Sequence, residues 1–245
     1  GVHGDNVRMI LTSQVFAIMG GTADDEMTAR ICQSADKYLY REKVGGYRLN
    51  TRFDEDKFDL GRMFGFAYGE KENGAVFSHM TVMYANALYQ NGMVREGYEA
   101  LQTLADTSLD FDTSYMYPGI PEYFNASGRG MYSYLTGAAS WYMLTVVTEA
   151  FGVKGENGNL VLEPKLVKEQ FDENGEAAVE LIFADRQLTI KYVGAKGKDF
   201  GQYKIASAVI DGADALEVTD TKVEIARARL ESLDDSAHEI VVKLN

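Results

Sequence analysis

A chain of 245 residues, 46% of them apolar, is long enough for one large domain or two small ones with a sizeable core. Its net charge of −13 argues against a nucleic-acid backbone or an anionic membrane as partner. No apolar run approaches the roughly 18 residues of a membrane span, and the first residues do not have the pattern of a signal peptide.

The single cysteine excludes an internal disulfide within this sequence and fits a reducing compartment, so we expect a cytoplasmic protein. Cys32 lies at helical spacing among apolar residues. We therefore interpret it as a core residue rather than a reactive thiol.

Two helices are predicted at the start of the chain. Apolar residues up to Gly20 predict a helix over 12–19, and Thr22 is predicted to cap a second helix that ends near Tyr40. Acidic residues fill the first turn of the second helix, where the helix dipole favours them. Its apolar positions recur every four residues, at Met27, Ile31, Ala35 and Leu39.

Apolar and amphipathic helices then recur in pairs. The range 74–90 is apolar on nearly all sides and predicts a buried helix, 93–105 predicts an amphipathic one, and 136–151 predicts another apolar helix. Such pairs are what a toroid of helical hairpins requires. About two and a half pairs are too few to close a ring, so we expect a second copy or an upstream N-terminal part to cover the apolar helices.

Two long connections, 41–73 and 106–131, separate these helices. Loops of this length in a compact domain are often functional, so we take Tyr47, Arg52, Asp54 and Arg62 as candidate substrate contacts. The alternative for each of them is an ordinary solvated loop residue.

After Gly152 the pattern changes to strands and turns. Strands are predicted over 160–162, 177–183, 187–193, 202–210, 216–218, 223–230 and 239–244. The second and third alternate apolar with polar residues and are joined as a hairpin through Ala184 to Arg186. We expect residues 153–245 to form an antiparallel β-sheet or sandwich domain.

Several segments, in this order, resemble glycoside hydrolase family 94, the inverting phosphorylases of β-linked glucosides. They are Lys71-Glu72-Asn73-Gly74, Phe77-x-His79, Glu122-Tyr123-Phe124, Gly128-Arg129-Gly130 and Tyr134-Leu135-Thr136-Gly137-x-Ala139-x-Trp141. Phe151-Gly152-Val153 and Leu160-x-Leu162-x-Pro164 resemble that family's passage from its barrel into a C-terminal sheet domain. The resemblance implies that residues 1–152 are the C-terminal portion of an (α/α)6 catalytic barrel. It leaves the sugar linkage open.

The resemblance also implies site residues. His79, Thr136 and Gly137 match the family's phosphate ligands, and Lys71 matches a residue of the acceptor-sugar subsite. Glu72, Arg62 and Glu122 are further candidates for substrate binding. The physical chemistry agrees, because a threonine capping a helix that begins at a glycine presents its hydroxyl and free N–H groups together. The alternative is that Thr136 is only a helix cap and His79 only a buried core histidine.

The general acid is the main departure from the family. The family's acid is an aspartate in an Asp-Trp-Asn-Asp-like motif, whereas the only tryptophan here is Trp141. We expect that acid upstream, in an N-terminal part of the same protein, and we expect this chain alone to be inactive. An inverting cleavage needs that acid and a nucleophile on the opposite face.

The function implied is cleavage of a β-linked gluco-disaccharide or oligosaccharide by inorganic phosphate, giving α-glucose 1-phosphate. Phosphate is a co-substrate, and no metal or other cofactor is implied. Further partners would be the N-terminal part and, as a candidate, a second copy in a homodimer. The alternatives are a non-catalytic carbohydrate-binding or scaffold protein derived from the barrel, and a helical-toroid glycoside hydrolase.

Overall fold

The computed structural model describes residues 2–3, 6–116, 119–133 and 137–245. The chain divides into two compact units, Gly1–Met143 (unit 1) and Leu144–Asn245 (unit 2). In their described parts, unit 1 is mainly helical with short strands, and unit 2 is mainly strands. The coarse prediction of a mixed α and β protein, helices first and sheets second, is confirmed.

Unit 1 contains helices joined by long connections. They are α1 (Leu11–Met19), α2 (Asp25–Tyr38), α3 (Ser78–Gln90), α4 (Val94–Leu109) and α5 (Phe111–Ser114), and α6 (Gly137–Thr145) begins here. Its strands pair in three small antiparallel sheets: β1 (Val2–His3) with β2 (Asn6–Val7), β3 (Tyr40–Arg41) with β4 (Gly46–Tyr47), and β5 (Val76–Phe77) with β6 (Tyr123–Phe124) and β7 (Gly130–Met131).

The second helix is capped by a different residue from the one predicted. The Asp24 carboxylate accepts a hydrogen bond from the Met27 N–H at 2.8 Å, so Asp24 is the N-cap. Thr22 lies three residues before the first residue of α2, and its N–H donates to the Ala17 carbonyl at the end of α1. The buried face also differs, since Met27 is exposed and the face consists of Thr28, Ile31, Cys32 and Ala35.

The third helix is shorter than predicted. Residues 74–77 are not helical because Val76 and Phe77 pair with Phe124 and Tyr123. Gly74 has φ of +76°, and a Cβ atom there would lie 2.2 Å from the Tyr68 ring, so this turn requires glycine. The interpretation of Cys32 and of α3 as core is confirmed: Cys32 is buried, and so are most residues of α3.

α3 packs against α1 and α4. Unit 1 itself therefore covers most of α3, whereas Phe16 of α1 and Met143 and Leu144 of α6 are exposed. The described residues form no closed ring of helices. The pairing of apolar and amphipathic helices is present, but a toroid remains a prediction.

The connection 106–131 is more regular than predicted. α4 extends to Leu109 and α5 follows it. β6 and β7 form a hairpin in which each strand has two residues. The other long connection contains only β3, β4 and short 3-10 turns at Glu42–Val44, Phe58–Leu60 and Arg62–Gly65. α6 ends at Thr145, and a π-helical turn, Val146–Ala150, completes the predicted range.

Unit 2 contains two sheets. The first has the order β10 (Glu176–Phe183), β11 (Arg186–Val193), β15 (His238–Leu244), β12 (Ile205–Ile210) and β13 (Asp214–Ala215). The second has the order β14 (Val223–Ile225), β9 (Asn159–Leu162) and β8 (Val153–Glu156). A 3-10 turn, Lys168–Gln170, and helix α7 (Arg227–Glu231) connect strands.

The predicted hairpin is confirmed, with Phe183 opposite Arg186 across a two-residue turn in which Ala184 and Asp185 have positive φ. The prediction of a wholly antiparallel sheet is wrong, because β11 and β15 run parallel. The predicted strand 223–230 ends at Ile225 and gives way to α7. β8 was missed, and 216–218 contributes only an isolated bridge between Val218 and Val223.

In the described part of the chain no helix is long and apolar enough to cross a membrane.

Candidate functional site

His79 and Gly137 meet at the beginnings of two helices. His79 lies in the first turn of α3, and Gly137 is the first residue of α6. A Cβ atom at Gly137 would lie 2.9 Å from His79 Cε1 and 3.0 Å from Nδ1, so the imidazole rests directly on the glycine. Trp141, one turn along α6, lies beside the same ring, with centroids 5.9 Å apart. Two helix starts therefore converge on one histidine.

The His79 ring is buried in part and lacks a partner for one nitrogen. Its Nε2 is inaccessible to solvent and has no hydrogen-bond partner among the residues that the structure describes. Burial lowers the pKa of His79 and favours the neutral imidazole at pH 7. A neutral imidazole can donate one N–H, and the start of a helix is the positive end of its dipole. The arrangement suits an anion with several acceptor oxygens.

Thr136, the third predicted phosphate ligand, lies outside the described residues. Its predicted role as a cap follows from its place directly before Gly137 and stays a prediction.

Lys71 and Glu72 lie together on a tight turn. Glu70 and Asn73 bridge across the turn, with the Asn73 N–H donating to the Glu70 carbonyl at 3.0 Å. Lys71 has φ of +45°, an uncommon backbone conformation for a lysine. The turn thus presents both side chains at its tip.

Two cations flank one aromatic ring beside this turn. The Arg62 guanidinium lies 5.2 Å and the Lys71 ammonium 5.9 Å from the centre of Phe66. Arg62 also pairs with Glu72, Nη2 to Oε1 at 3.0 Å. The second Glu72 oxygen, Oε2, is inaccessible to solvent and without a hydrogen-bond partner in the described ranges. These charged groups lie beside Phe66 and could form hydrogen bonds with sugar hydroxyl groups.

Lys71 also contacts Tyr132. Its ammonium lies 4.4 Å from the centre of that ring, and the pKa of Lys71 is raised, first by its side-chain hydrogen bond to Tyr132 and then by the carboxylates of Glu122 and Glu72. Of the candidate residues, the structure therefore brings Lys71, Glu72, Arg62 and Glu122 into one region.

The backbone of Glu122 connects this region to His79. The Glu122 carbonyl accepts from the N–H of Ser78, the neighbour of His79, at 3.0 Å. The Glu122 N–H donates to the carbonyls of Met131 and Tyr132 at 3.1 and 3.2 Å. Residues of both groups thus directly adjoin the strands β5, β6 and β7.

Of the other candidates in the long connection, Tyr47 lies apart from this region, and Arg52 and Asp54 border it. Tyr47 is buried, and its hydroxyl donates to Asp36 at 2.5 Å, so it is a core residue and the prediction of a substrate contact is wrong. Arg52 and Asp54 pair with each other at 2.7 Å and line a cleft of about 360 Å³. The cleft also includes Phe66, which places it next to the turn.

Three residues of the region were missed from the sequence alone: Phe66, Tyr132 and the buried Asn50. Phe66 and Asn50 lie in a connection without periodicity, so no pattern distinguished them. Tyr132 adjoins the Tyr134–Trp141 segment, which was the available signal. No group of three or more His, Cys, Asp or Glu residues in the described ranges is arranged to hold a metal ion.

Comparison with known proteins shows the family of this chain. The family model described as "Glycosyl hydrolase 94 superfamily, catalytic domain" matches residues 2–152. Those residues include the turn, His79 and Gly137.

Curated relatives agree in family and differ in substrate. Cellobionic acid phosphorylase of Neurospora crassa is 24% identical over 190 residues, which cover 68% of this chain and 24% of that protein. Solabiose phosphorylase of Paenibacillus borealis is 26% identical over 60% of this chain and 21% of its own length. N,N'-diacetylchitobiose phosphorylase of Vibrio proteolyticus is 25% identical over 64% and 20%. The chain thus spans about a quarter of the length of the relatives it matches.

Proposed function

Because the chain belongs to the glycosyl hydrolase 94 superfamily, we propose that it is the C-terminal part of an inverting β-glucoside phosphorylase. The complete protein would cleave a β-linked gluco-disaccharide or oligosaccharide with inorganic phosphate and release α-glucose 1-phosphate. Residues 1–152 would be part of an (α/α)6 barrel and 153–245 a C-terminal β domain. The end of the family match at Gly152 supports that boundary.

The observation that carries this proposal is the contact of His79 with Gly137 at two helix starts. Phosphate would lie beside the His79 ring, accept a hydrogen bond from it and face the positive end of the α6 dipole. Thr136 would add its hydroxyl. A hydrolase would instead need a carboxylate placed to activate water.

The reaction would proceed by one displacement. A phosphate oxygen forms a bond to the anomeric carbon while the glycosidic C–O bond breaks on the opposite face, and the leaving oxygen takes a proton from a general acid. That acid would belong to an upstream aspartate, since the Asp-Trp-Asn-Asp-like motif does not occur in these 245 residues. Lys71, Glu72, Arg62 and Glu122 would hold the acceptor sugar that leaves.

The sugar and its linkage stay open. The three relatives are named for different disaccharides, so the family does not fix the acceptor. The arrangement of two cations and Glu72 around Phe66 is the part of the site that would select it.

Phosphate dependence tests the proposal. The complete protein is incubated with a panel of β-linked gluco-disaccharides, with and without phosphate, and both glucose 1-phosphate and free sugars are measured. The proposal predicts glucose 1-phosphate in an amount equal to the acceptor sugar released, and no cleavage without phosphate. Cleavage at the same rate without phosphate would identify a hydrolase, and binding without cleavage in either condition would identify a carbohydrate-binding protein.

A further inference from the structure

Asn50 holds the base of the turn that carries Lys71 and Glu72. We propose that Asn50 is a positioning residue for the acceptor-sugar part of the site, a role that rests on the proposed function. It reaches no sugar itself, because its side chain is fully buried.

Each donor and the acceptor of the Asn50 amide group form a hydrogen bond, two of these with the turn. Its Oδ1 accepts from the Gly74 N–H at 2.8 Å, and its Nδ2 donates to Asn73 Oδ1 at 3.2 Å and to the Thr51 carbonyl at 3.0 Å. One acceptor and two donors are thus occupied in a solvent-free place. An amide side chain supplies this combination of one acceptor oxygen and two N–H donors.

Asn73 connects the Asn50 side chain to the rest of the turn through further hydrogen bonds. Its Nδ2 donates to the Phe66 carbonyl at 2.8 Å, and its own carbonyl accepts from the Gly69 N–H at 2.6 Å. Asn50 is therefore connected through Asn73 to both ends of the loop on which Lys71 and Glu72 lie.

Asn50 is itself fixed. It forms a bridge with Ile10, and its carbonyl accepts from the Tyr68 hydroxyl at 3.2 Å. Arg48, two residues earlier, donates to the Gly74 carbonyl at 3.1 Å. A fixed backbone is what allows one side chain to determine the place of another segment.

The tip of the turn depends on this base. Lys71 has a positive φ, which persists only when its surroundings hold it. His79 has separate support from the pairing of β5 with β6 and from the bond between Ser78 and Glu122. Loss of the Asn50 amide should therefore disturb the acceptor region and leave the phosphate ligand in place.

The kinetic test compares Asn50→Ala with Thr51→Val in the complete protein. Thr51 is the matched control, since its buried hydroxyl bonds to Val7 and Met9 and not to the turn. With α-glucose 1-phosphate as donor and glucose or cellobiose as acceptor, Asn50→Ala should raise the acceptor KM about tenfold or more, while the phosphate KM in phosphorolysis changes less than about twofold. Thr51→Val should change neither. Equal effects of the two variants would mean general destabilisation and would overturn the proposal.

Hydrogen exchange of the 245-residue chain separates this inference from the proposed function. Asn50→Ala should speed amide exchange in residues 69–74 by about tenfold or more, with exchange in α3 unchanged, and Thr51→Val should not. Unchanged exchange at Gly74 in Asn50→Ala would overturn the positioning role. If the complete protein shows no phosphorolysis with any substrate, the proposed function falls, and exchange alone decides whether Asn50 holds the turn.

A double substitution adds a check on mechanism. Asn50→Ala and Asn73→Ala each remove one end of the same hydrogen bond. The double variant should therefore raise the acceptor KM by less than the product of the two single fold-changes. Multiplicative effects would show that the two residues act separately and would contradict the connection described above.

Discussion

At the scale of single residues, the contact between Gly137 and His79 is the most specific feature of the candidate site. Gly137 is the first residue of α6, and a methyl group there would meet the His79 ring at 2.9 Å. Close approach, rather than helix stability, accounts for this glycine.

The substitution Gly137→Ala tests that reason. The added methyl group should displace His79 and block the backbone N–H groups, so we expect the phosphate KM of the complete protein to rise by about tenfold or more. The control is Ser140→Ala, an exposed position on the same helix. An unchanged phosphate KM in Gly137→Ala, with His79 in its original position, would contradict the proposed role of this contact.

A second residue-scale prediction concerns His238 in unit 2. The pKa of His238 is raised because its ring bonds to the carboxylate of Asp211, Nδ1 to Oδ2 at 2.8 Å, with Asp234 also nearby. A pKa above the unfolded value means that the protonated form favours folding. Its contribution is fully present below the unfolded pKa of about 6.5 and is lost as pH rises through the folded pKa.

We therefore expect the difference in unfolding free energy between wild type and His238→Gln to shrink as pH rises from about 6 to 9. Chemical denaturation at several pH values measures it. Asp211→Asn should remove most of the same pH dependence. A difference that stays constant or grows with pH would show that the charged pair does not stabilise the fold.

At the scale of elements, the helices and the central hairpin could be predicted from the sequence because their periodicity is local. The predictions fail where contacts between residues that are distant in the sequence determine the local structure. Gly74 to Phe77 continue an apolar helical pattern, yet Val76 and Phe77 form a strand because Phe124 and Tyr123 pair with them. β15 could not be predicted to run parallel to β11, since no local pattern encodes strand direction.

The start of α2 gives the element-scale prediction. Asp24 caps the helix through the Met27 N–H, whereas Thr22 is exposed and is not the cap. Asp24→Ala should lower the unfolding free energy by about 1 kcal/mol, and Thr22→Ala should change it by less than about 0.5 kcal/mol. Thermal or urea unfolding of the two variants measures this difference. A larger loss of unfolding free energy in Thr22→Ala than in Asp24→Ala would show that Thr22 is the cap, as the sequence suggested.

At the scale of the whole molecule, the sequence motifs predicted the family, and the family match confirms it. Lys71, Glu72, Arg62 and Glu122 were named as separate candidates for substrate binding, and the structure places them in one region. They could not predict Asn50 or Phe66, because those residues act through a turn whose shape depends on buried hydrogen bonds. Thr136 is the one predicted ligand whose place the structure does not describe.

The whole-molecule prediction is that the 245-residue chain alone does not catalyse phosphorolysis. General-acid assistance is typically worth about 10²–10⁴-fold in rate, and the family's acid motif does not occur in this sequence. Release of glucose 1-phosphate from β-glucosides by the purified chain measures this. Adding a separately produced upstream part should restore activity, whereas robust turnover by the chain alone would place an acid within these residues.

The central claim is that His79 binds the attacking phosphate. In the complete protein, His79→Ala should raise the phosphate KM about 10- to 150-fold, the effect of losing one hydrogen bond to a charged ligand, and should leave the acceptor KM in synthesis nearly unchanged. Lys71→Ala should do the opposite, and His238→Ala serves as a control for the loss of a buried histidine. A His79→Ala variant with an unchanged phosphate KM and only a lower melting temperature would show that His79 is a core histidine and would contradict the proposed phosphate site.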